Sequence, residues 1–163
     1  MQEAVAKLAA DLQSTPVAAS NLHVTLCFLG QVDEARVDDL RRLASSVRAR
    51  HCELEFDAFD VWKKPRILCA VTSADVPAEA ASLAESLRVA TNAAGFAPDD
   101  RPWRPHLTLA RKVRGNAEEP QRWPQKFAPG FVVRGERFLL MESRRGEAGS
   151  AYSVVDSWAL YEK

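Results

Sequence analysis

The chain has 163 residues, 47% of them apolar and 27% charged, with Lys+Arg and Asp+Glu balanced at 22 each. That is the make-up of a soluble globular protein of one domain, or of two small lobes sharing a cleft, with enough chain for a real core. It excludes a global basic field for gripping long nucleic acid, so an anionic substrate must be met by a local patch. Cys27, Cys52 and Cys69 lie in apolar or alternating runs with no C-x-x-C spacing. They read as free thiols in a reducing compartment, and the expected location is the cytoplasm. No apolar run is long enough to cross a membrane, and the first residues do not form a signal peptide.

Taken in chain order, Ala4, Val5, Leu8, Ala9 and Leu12 repeat at helical spacing, and Ser14-Thr15-Pro16 ends that helix. Leu22–Leu29 reads as a mostly apolar strand closed by Gly30. Asp33 is a good N-cap for a helix whose Val37, Leu40, Leu43, Ala44 and Val47 form one apolar stripe. Arg41, Arg42, Arg48 and Arg50 resemble a phosphate grip, but a solvated helix face is the better reading. Cys52–Trp62 alternates as a strand with one wet face, Lys63-Lys64-Pro65 turns, and Ile67–Thr72 is a short apolar strand. Val76-Pro77 opens a helix with Leu83, Leu87, Ala90 and Ala94 on one side, stopped by Gly95. Pro98–Pro105 is a rigid approach to a second motif strand, and Gly115–Pro129 reads as a surface loop. Phe131–Met141 and Tyr152–Tyr161 read as two antiparallel strands joined by the charged loop Glu142–Ser150.

The chemistry concentrates in two near copies of one tetrapeptide, His23-Val-Thr25-Leu and His106-Leu-Thr108-Leu. In a β-strand successive side chains alternate, so His and Thr share one face and the apolar neighbours bury the other. One such copy means little, since a half-buried strand with a satisfied His explains it. Two copies in a chain with three His are harder to dismiss. His51, in no such setting, reads as an ordinary surface residue. Side by side, the two strands would offer two imidazoles and two hydroxyls to one cleft.

Imidazoles titrate near neutrality, so one His can act as acid while the other acts as base. Thr hydroxyls and Arg donors suit the non-bridging oxygens of a phosphate. No acidic cluster is positioned for Mg²⁺ and no Zn ligand set is present, so neither metal nor cofactor is expected. Phosphoryl transfer by a His pair alone suits an already activated ester, such as a strained 2′,3′-cyclic phosphate. One His would deprotonate the attacking water and the other would protonate the departing ribose oxygen, with the Thr pair holding the phosphorus in line.

The two halves also mirror each other. Strand 67–72, helix 76–94 and the strand from His106 match helix 2–13 and the strand from Leu22, so a strand is expected before the first helix. The given chain does not contain it. One sheet is therefore expected to lack a strand and to show an unpaired edge, unless a segment from elsewhere substitutes.

Asn21-Leu-His-Val-Thr-Leu-Cys-Phe-Leu-Gly30 and Arg104-Pro-His-Leu-Thr-Leu-Ala-Arg111 resemble the paired His-x-Thr-x motifs of the 2H phosphoesterase superfamily. The nearest branch is the bacterial RNA 2′,3′-cyclic phosphodiesterases, historically called 2′-5′ RNA ligases. The resemblance spans essentially the whole chain, with Phe138–Ser143, Tyr152 and Trp158-Ala-Leu160 similar to the family's C-terminal strands. It implies an α+β, bilobal, pseudo-symmetric fold with two antiparallel sheets and flanking helices around a central cleft, as one domain over residues 1–163. It implies metal-independent hydrolysis of RNA 2′,3′-cyclic ends to 2′-phosphomonoesters, with 2′-5′ ligation as a side activity. His23 would be the proton donor and His106 the acceptor. Thr25 and Thr108 would bind the phosphate. Arg111 would add charge there, against the alternative of a strand-end Arg in solvent.

The expected partners are RNA ends or small nucleotide cyclic phosphates, with the protein acting as a monomer away from membranes. Phe59, Trp62, Trp103 and Tyr152 are candidates to stack a terminal base, although such aromatics are more often core. The alternatives are a related esterase acting on another small cyclic phosphate or a 2′-5′ oligonucleotide, and a non-catalytic RNA-end binding module.

Overall fold

The computed structural model describes residues 2–114, 123–146 and 149–162. Its elements run α1 (Gln2–Asp11), β1 (Thr15–Pro16), α2 (Val37–Ser46), β2 (Cys52–Trp62), β3 (Ile67–Val71), α3 (Ala78–Ala93), β4 (His106–Arg111), β5 (Gln125–Gly135), β6 (Arg137–Gly146) and β7 (Gly149–Ala159). The fold is α+β. A five-stranded sheet has the order β1-β4-β3-β2-β5, and β6 and β7 form a second, two-stranded sheet. The pairs β1–β4, β2–β3, β3–β4 and β6–β7 are all antiparallel.

The chain divides into two compact units. The first comprises Met1–Val24, Glu55–Asp75 and Pro105–Val132. Its α1 buries Leu8, Ala9 and Leu12, and all five residues of β3 are buried, as befits a central strand covered on both faces. Ala58, Cys69 and Val71 form a cluster against which Trp62 packs. The second unit comprises Thr25–Leu54, Val76–Arg104 and Val133–Lys163. Its core joins Ala44 of α2, Leu83 and Leu87 of α3, Phe138 of β6 and Leu160, with Leu26 and Cys27 packed against them. Each fully buried Leu or Phe contributes roughly 1.5–3 kcal/mol relative to exposure, so these clusters hold the helices to the strands.

Local chemistry explains the helix ends. Asp33 accepts from the Ala35 amide at 2.9 Å, capping a single turn of 3₁₀ helix (Glu34–Arg36) that leads into α2. Gly95, with φ +76°, stops α3 as expected, and the Phe96 amide donates to the Thr91 carbonyl at 3.0 Å. The arginines of α2 bear out the solvated-face reading. Arg41 pairs with Asp38 at 2.7 Å and Asp156 at 3.4 Å, and Arg42 pairs with Asp39.

Five expectations need correction. Leu22–Leu29 is not a strand; only Val24 makes a bridge, to Leu107. Thr15–Pro16, expected only to end the helix, pairs with the far end of β4. Residues 115–122 of the expected surface loop lie outside the described residues, but Gln125–Pro129 belongs to β5. Phe131–Met141 is not one strand: β5 ends at Gly135 and β6 begins at Arg137, in the other sheet. A Cβ on Gly135 would meet the Cys52 sulfur at 2.9 Å, so a larger residue at this crossover would have to displace the Cys52 side chain. Finally, the expected loop Glu142–Ser150 is mostly hairpin, with β6 and β7 paired out to Gly146 and Gly149.

Candidate active site

β4 carries the second motif as the alternation requires: Leu107 and Leu109 are buried while His106 and Thr108 are half-buried. On β3 the cross-strand partners of His106 and Thr108 are Val71 and Cys69. The register then shifts, with Ala110 opposite Leu68 and Arg111 opposite Ile67, so Leu109 is an extra residue bulged out of β4. This bulge re-aims the strand end. Strict alternation would send Arg111 to the face of Leu107 and Leu109, away from His106. With the bulge, the partners of His106, Thr108 and Arg111 are Val71, Cys69 and Ile67, every second residue of β3. The three side chains therefore share one face, in a row spanning about 13 Å of strand.

The first motif runs beside β4 as an interrupted edge. Thr15 and Pro16 oppose Arg111 and Ala110, the Val17 amide donates to the Leu109 carbonyl at 2.8 Å, and Val24 bridges Leu107. Since the bridge is antiparallel, His23 falls next to Thr108, on the side away from Val24 and Leu107. The His23 Nδ1–H donates to the Asn21 carbonyl at 2.7 Å, which fixes the orientation of the ring. His23, His106, Thr108 and Arg111 all belong to the first unit. Thr25 opens the second unit, where the Trp103 indole N–H donates to its carbonyl at 2.8 Å.

Trp62 supports His106. It stands on β2 opposite Ile67, hence on the face that carries His106, and its ring centroid lies 4.4 Å from that of the imidazole at a tilt of 49°. The indole N–H donates to Asp60 at 2.8 Å, so Trp62 is itself held. Of the other stacking candidates, Phe59 is buried against Phe127 with centroids 4.4 Å apart, a core contact. Tyr152 is half-buried on β7 opposite Ser143. His51 is half-buried rather than a free surface residue, with its Nε2 3.1 Å from the Leu160 carbonyl. All three cysteines are free thiols. Among the described residues no group of three or more His, Cys, Asp or Glu side chains is placed to hold a metal ion. None of their helices is long and apolar enough to cross a membrane.

Sequence reasoning missed three supports of this site: the Leu109 bulge, the Trp62–His106 contact and the hold of Trp103 on Thr25. Trp62 had a signal, because period two puts it on one face of its strand with Asp60. The register that aligns that face with His106 is not written in either strand alone.

In class, then, this is an α+β protein with one His-x-Thr copy on a five-stranded sheet and a second copy bridged to it. Residues 1–147 match the family described as the 2′-5′ RNA ligase superfamily, and the chain belongs to that family. It is 31% identical over 145 residues to the RNA 2′,3′-cyclic phosphodiesterase of Escherichia coli K12, covering 89% of this chain and 79% of the relative. It is 32% identical over 126 residues to the protein of the same name from Bacillus subtilis 168, covering 74% and 67%. In structure it is similar to E. coli LigT crystallised with 3′-AMP, with a TM-score of 0.80 at 28% identity, covering 98% of this chain and 90% of that one.

Proposed function

We propose that this chain hydrolyses RNA 2′,3′-cyclic phosphate ends to 2′-phosphomonoesters through His23 and His106, without a metal ion. The antiparallel bridge between Val24 and Leu107 carries the reading, because it sets one His-x-Thr copy against the other. The family match and the relatives named RNA 2′,3′-cyclic phosphodiesterase support the substrate class. The whole chain acts as one such domain, as a monomer in the cytoplasm, with 2′-5′ ligation as a side activity.

His106 takes a proton from water as its oxygen attacks phosphorus. The bond from phosphorus to the ribose 3′-oxygen breaks, and His23 Nε2 delivers a proton to that oxygen. The product is a 2′-phosphate and a free 3′-hydroxyl. The Asn21 carbonyl fixes the His23 ring by holding Nδ1–H, so orientation is set before substrate arrives. Thr25 and Thr108 donate to the non-bridging oxygens, and Arg111 offsets the charge that builds on them. Ring strain in the cyclic ester supplies activation that a metal would otherwise provide.

The test is turnover, in EDTA, of a short RNA ending in a 2′,3′-cyclic phosphate, with the product resolved by mass and by phosphate position. A 2′-phosphate product, reduced by about 10²–10⁴ in both His23→Ala and His106→Ala, is expected. RNA bound but never hydrolysed would replace this reading with that of a binding module.

A further inference from the structure

Beyond Arg111, on the same face as His106 and Thr108, the chain gathers cations. Arg66, Arg111, Lys112 and Arg114 line, with Pro65 and Ile67, an open hollow of about 320 Å³. All four cations are exposed. Elsewhere in this charge-balanced chain many arginines are paired: Arg36, Arg41, Arg42 and Arg88, among others, each have a carboxylate within 4.0 Å. Among the described residues no such ion pair engages any of the four cations of the hollow. The result is a local positive field in a molecule of zero net charge.

The backbone builds this cluster deliberately. Arg66 and Lys112 both adopt left-handed φ, +67° and +59°, positions where glycine or asparagine is the easier residue. The Arg66 amide donates to the Trp62 carbonyl at 2.9 Å, and the Val113 amide donates to the Arg66 carbonyl at 3.2 Å. The Arg114 amide donates to the Leu12 carbonyl at 3.0 Å, tying the cluster to the end of α1. Two long cations are thus fixed in strained backbone at one end of the row His106, Thr108, Arg111.

We infer that this hollow is a phosphate-backbone subsite for single-stranded RNA upstream of its cyclic end, so that the preferred substrate is an oligonucleotide rather than a free cyclic mononucleotide. This rests on the reading of His23 and His106 as the phosphodiesterase site. Arg111 serves the cyclic end, and Arg66, Lys112 and Arg114 lie past it at the end of the row. A free cyclic mononucleotide brings one phosphate, which the catalytic groups take up; the further phosphates of an oligonucleotide are what the remaining cations can meet. Contacts of this kind fix position without reading bases, so length should matter and sequence should not.

The experiment compares kcat/KM for a 2′,3′-cyclic mononucleotide with that for oligoribonucleotides of increasing length bearing the same end, at two salt concentrations. Three released counterions give a single-strand salt slope of about 2, or roughly a twentyfold loss between 50 and 200 mM salt. That loss is expected for the oligonucleotide and not for the mononucleotide. Arg66→Asn and Lys112→Asn remove charge at positions where asparagine accepts left-handed backbone, and Arg114→Gln removes the third. Each should lower the oligonucleotide-to-mononucleotide ratio and flatten the salt slope. Equal kcat/KM for all lengths in the unaltered protein would overturn the inference, as would variants that keep its length preference and slope. If neither substrate is turned over, the phosphodiesterase reading fails instead. Fluorescence anisotropy with a 2′-phosphate-ended oligonucleotide then decides the subsite alone, a flat salt slope overturning it.

Discussion

The imidazole of His106 lies against the indole of Trp62, centroids 4.4 Å apart, and Asp60 holds that indole from behind at 2.8 Å. A flat, anchored surface on one side of the ring limits its rotation, which on the proposed mechanism keeps it aimed at the attacking water. Trp62→Ala should therefore lower kcat by about ten- to a hundredfold, the scale of a 1 Å misplacement, with little change in KM. Trp62→Phe keeps an aromatic surface and should restore most of the rate. Steady-state kinetics on one RNA substrate checks this; a rise in KM at constant kcat would make Trp62 a base-binding residue instead.

Arg111 reaches the His106 face only because Leu109 is bulged. Removing a charge-assisted donor aimed at a phosphate oxygen costs on the order of a hundredfold in kcat/KM, and Arg111→Gln should show that loss. Arg111→Lys should fall between, since an ammonium supplies charge without the planar fork. Activity within twofold of the unaltered protein would mean that Arg111 is a strand-end residue in solvent.

The sequence pattern held the helices, β2, β3 and β4, because each shows its own apolar period within one segment. What it did not hold depends on partners. Leu22–Leu29 has a strand's composition, yet only Val24 finds a bridge to β4, and composition cannot supply a neighbour. Pro124 and Pro129 argued for a loop, but β5 is an edge of the five-stranded sheet, where a missing N–H costs little. The break at Glu136 was invisible for a related reason: Gly135 is closely approached by Cys52, a contact more than eighty residues away in sequence. Of the site, both His-x-Thr copies were legible, and the bulge that turns Arg111 to join them was not.

Asp57 ties the end of β3 to β2. The Ser73 hydroxyl and the Ser73 amide both donate to its carboxylate, the amide at 2.7 Å, and they hold its pKa below the ordinary carboxylate value. A depressed folded pKa gives stability that is present above the unfolded value and lost as pH falls through the folded one. Ser73→Ala removes the hydroxyl donor and should cost about 1 kcal/mol at pH 7, allowing for the exposure of the pair. For a chain of this size that is a fall in Tm of about 2–4 °C. The gap between the two proteins should narrow from its pH 7 size as pH falls through the depressed folded pKa, and close at a strongly acid pH where the carboxyl is protonated in both states. Melting curves at the two pH values check it, and a gap that persists in acid would mean that the hydroxyl acts through packing.

Cys27 and Cys52 report on the second unit, and Cys69 on the first, without any substrate. Burial pushes the Cys27 thiol up from its usual pKa, against the opposing pull of a contact with the Thr91 hydroxyl at 3.7 Å, and burial likewise raises Cys52. Cys69 is fully buried in β3. A raised pKa leaves less thiolate at pH 8, and the thiolate is the reactive form. Native protein should therefore be alkylated by iodoacetamide on the order of tenfold more slowly than protein in urea, with Cys69 the slowest because it must first be uncovered. The rate at Cys27 should climb as pH rises above 8, and mass spectrometry of the labelled peptides separates the three sites. Rapid native labelling of Cys27 would contradict the packing of Leu26 and Cys27 against Ala44 and Leu83, and with it the anchoring of the segment that follows Thr25.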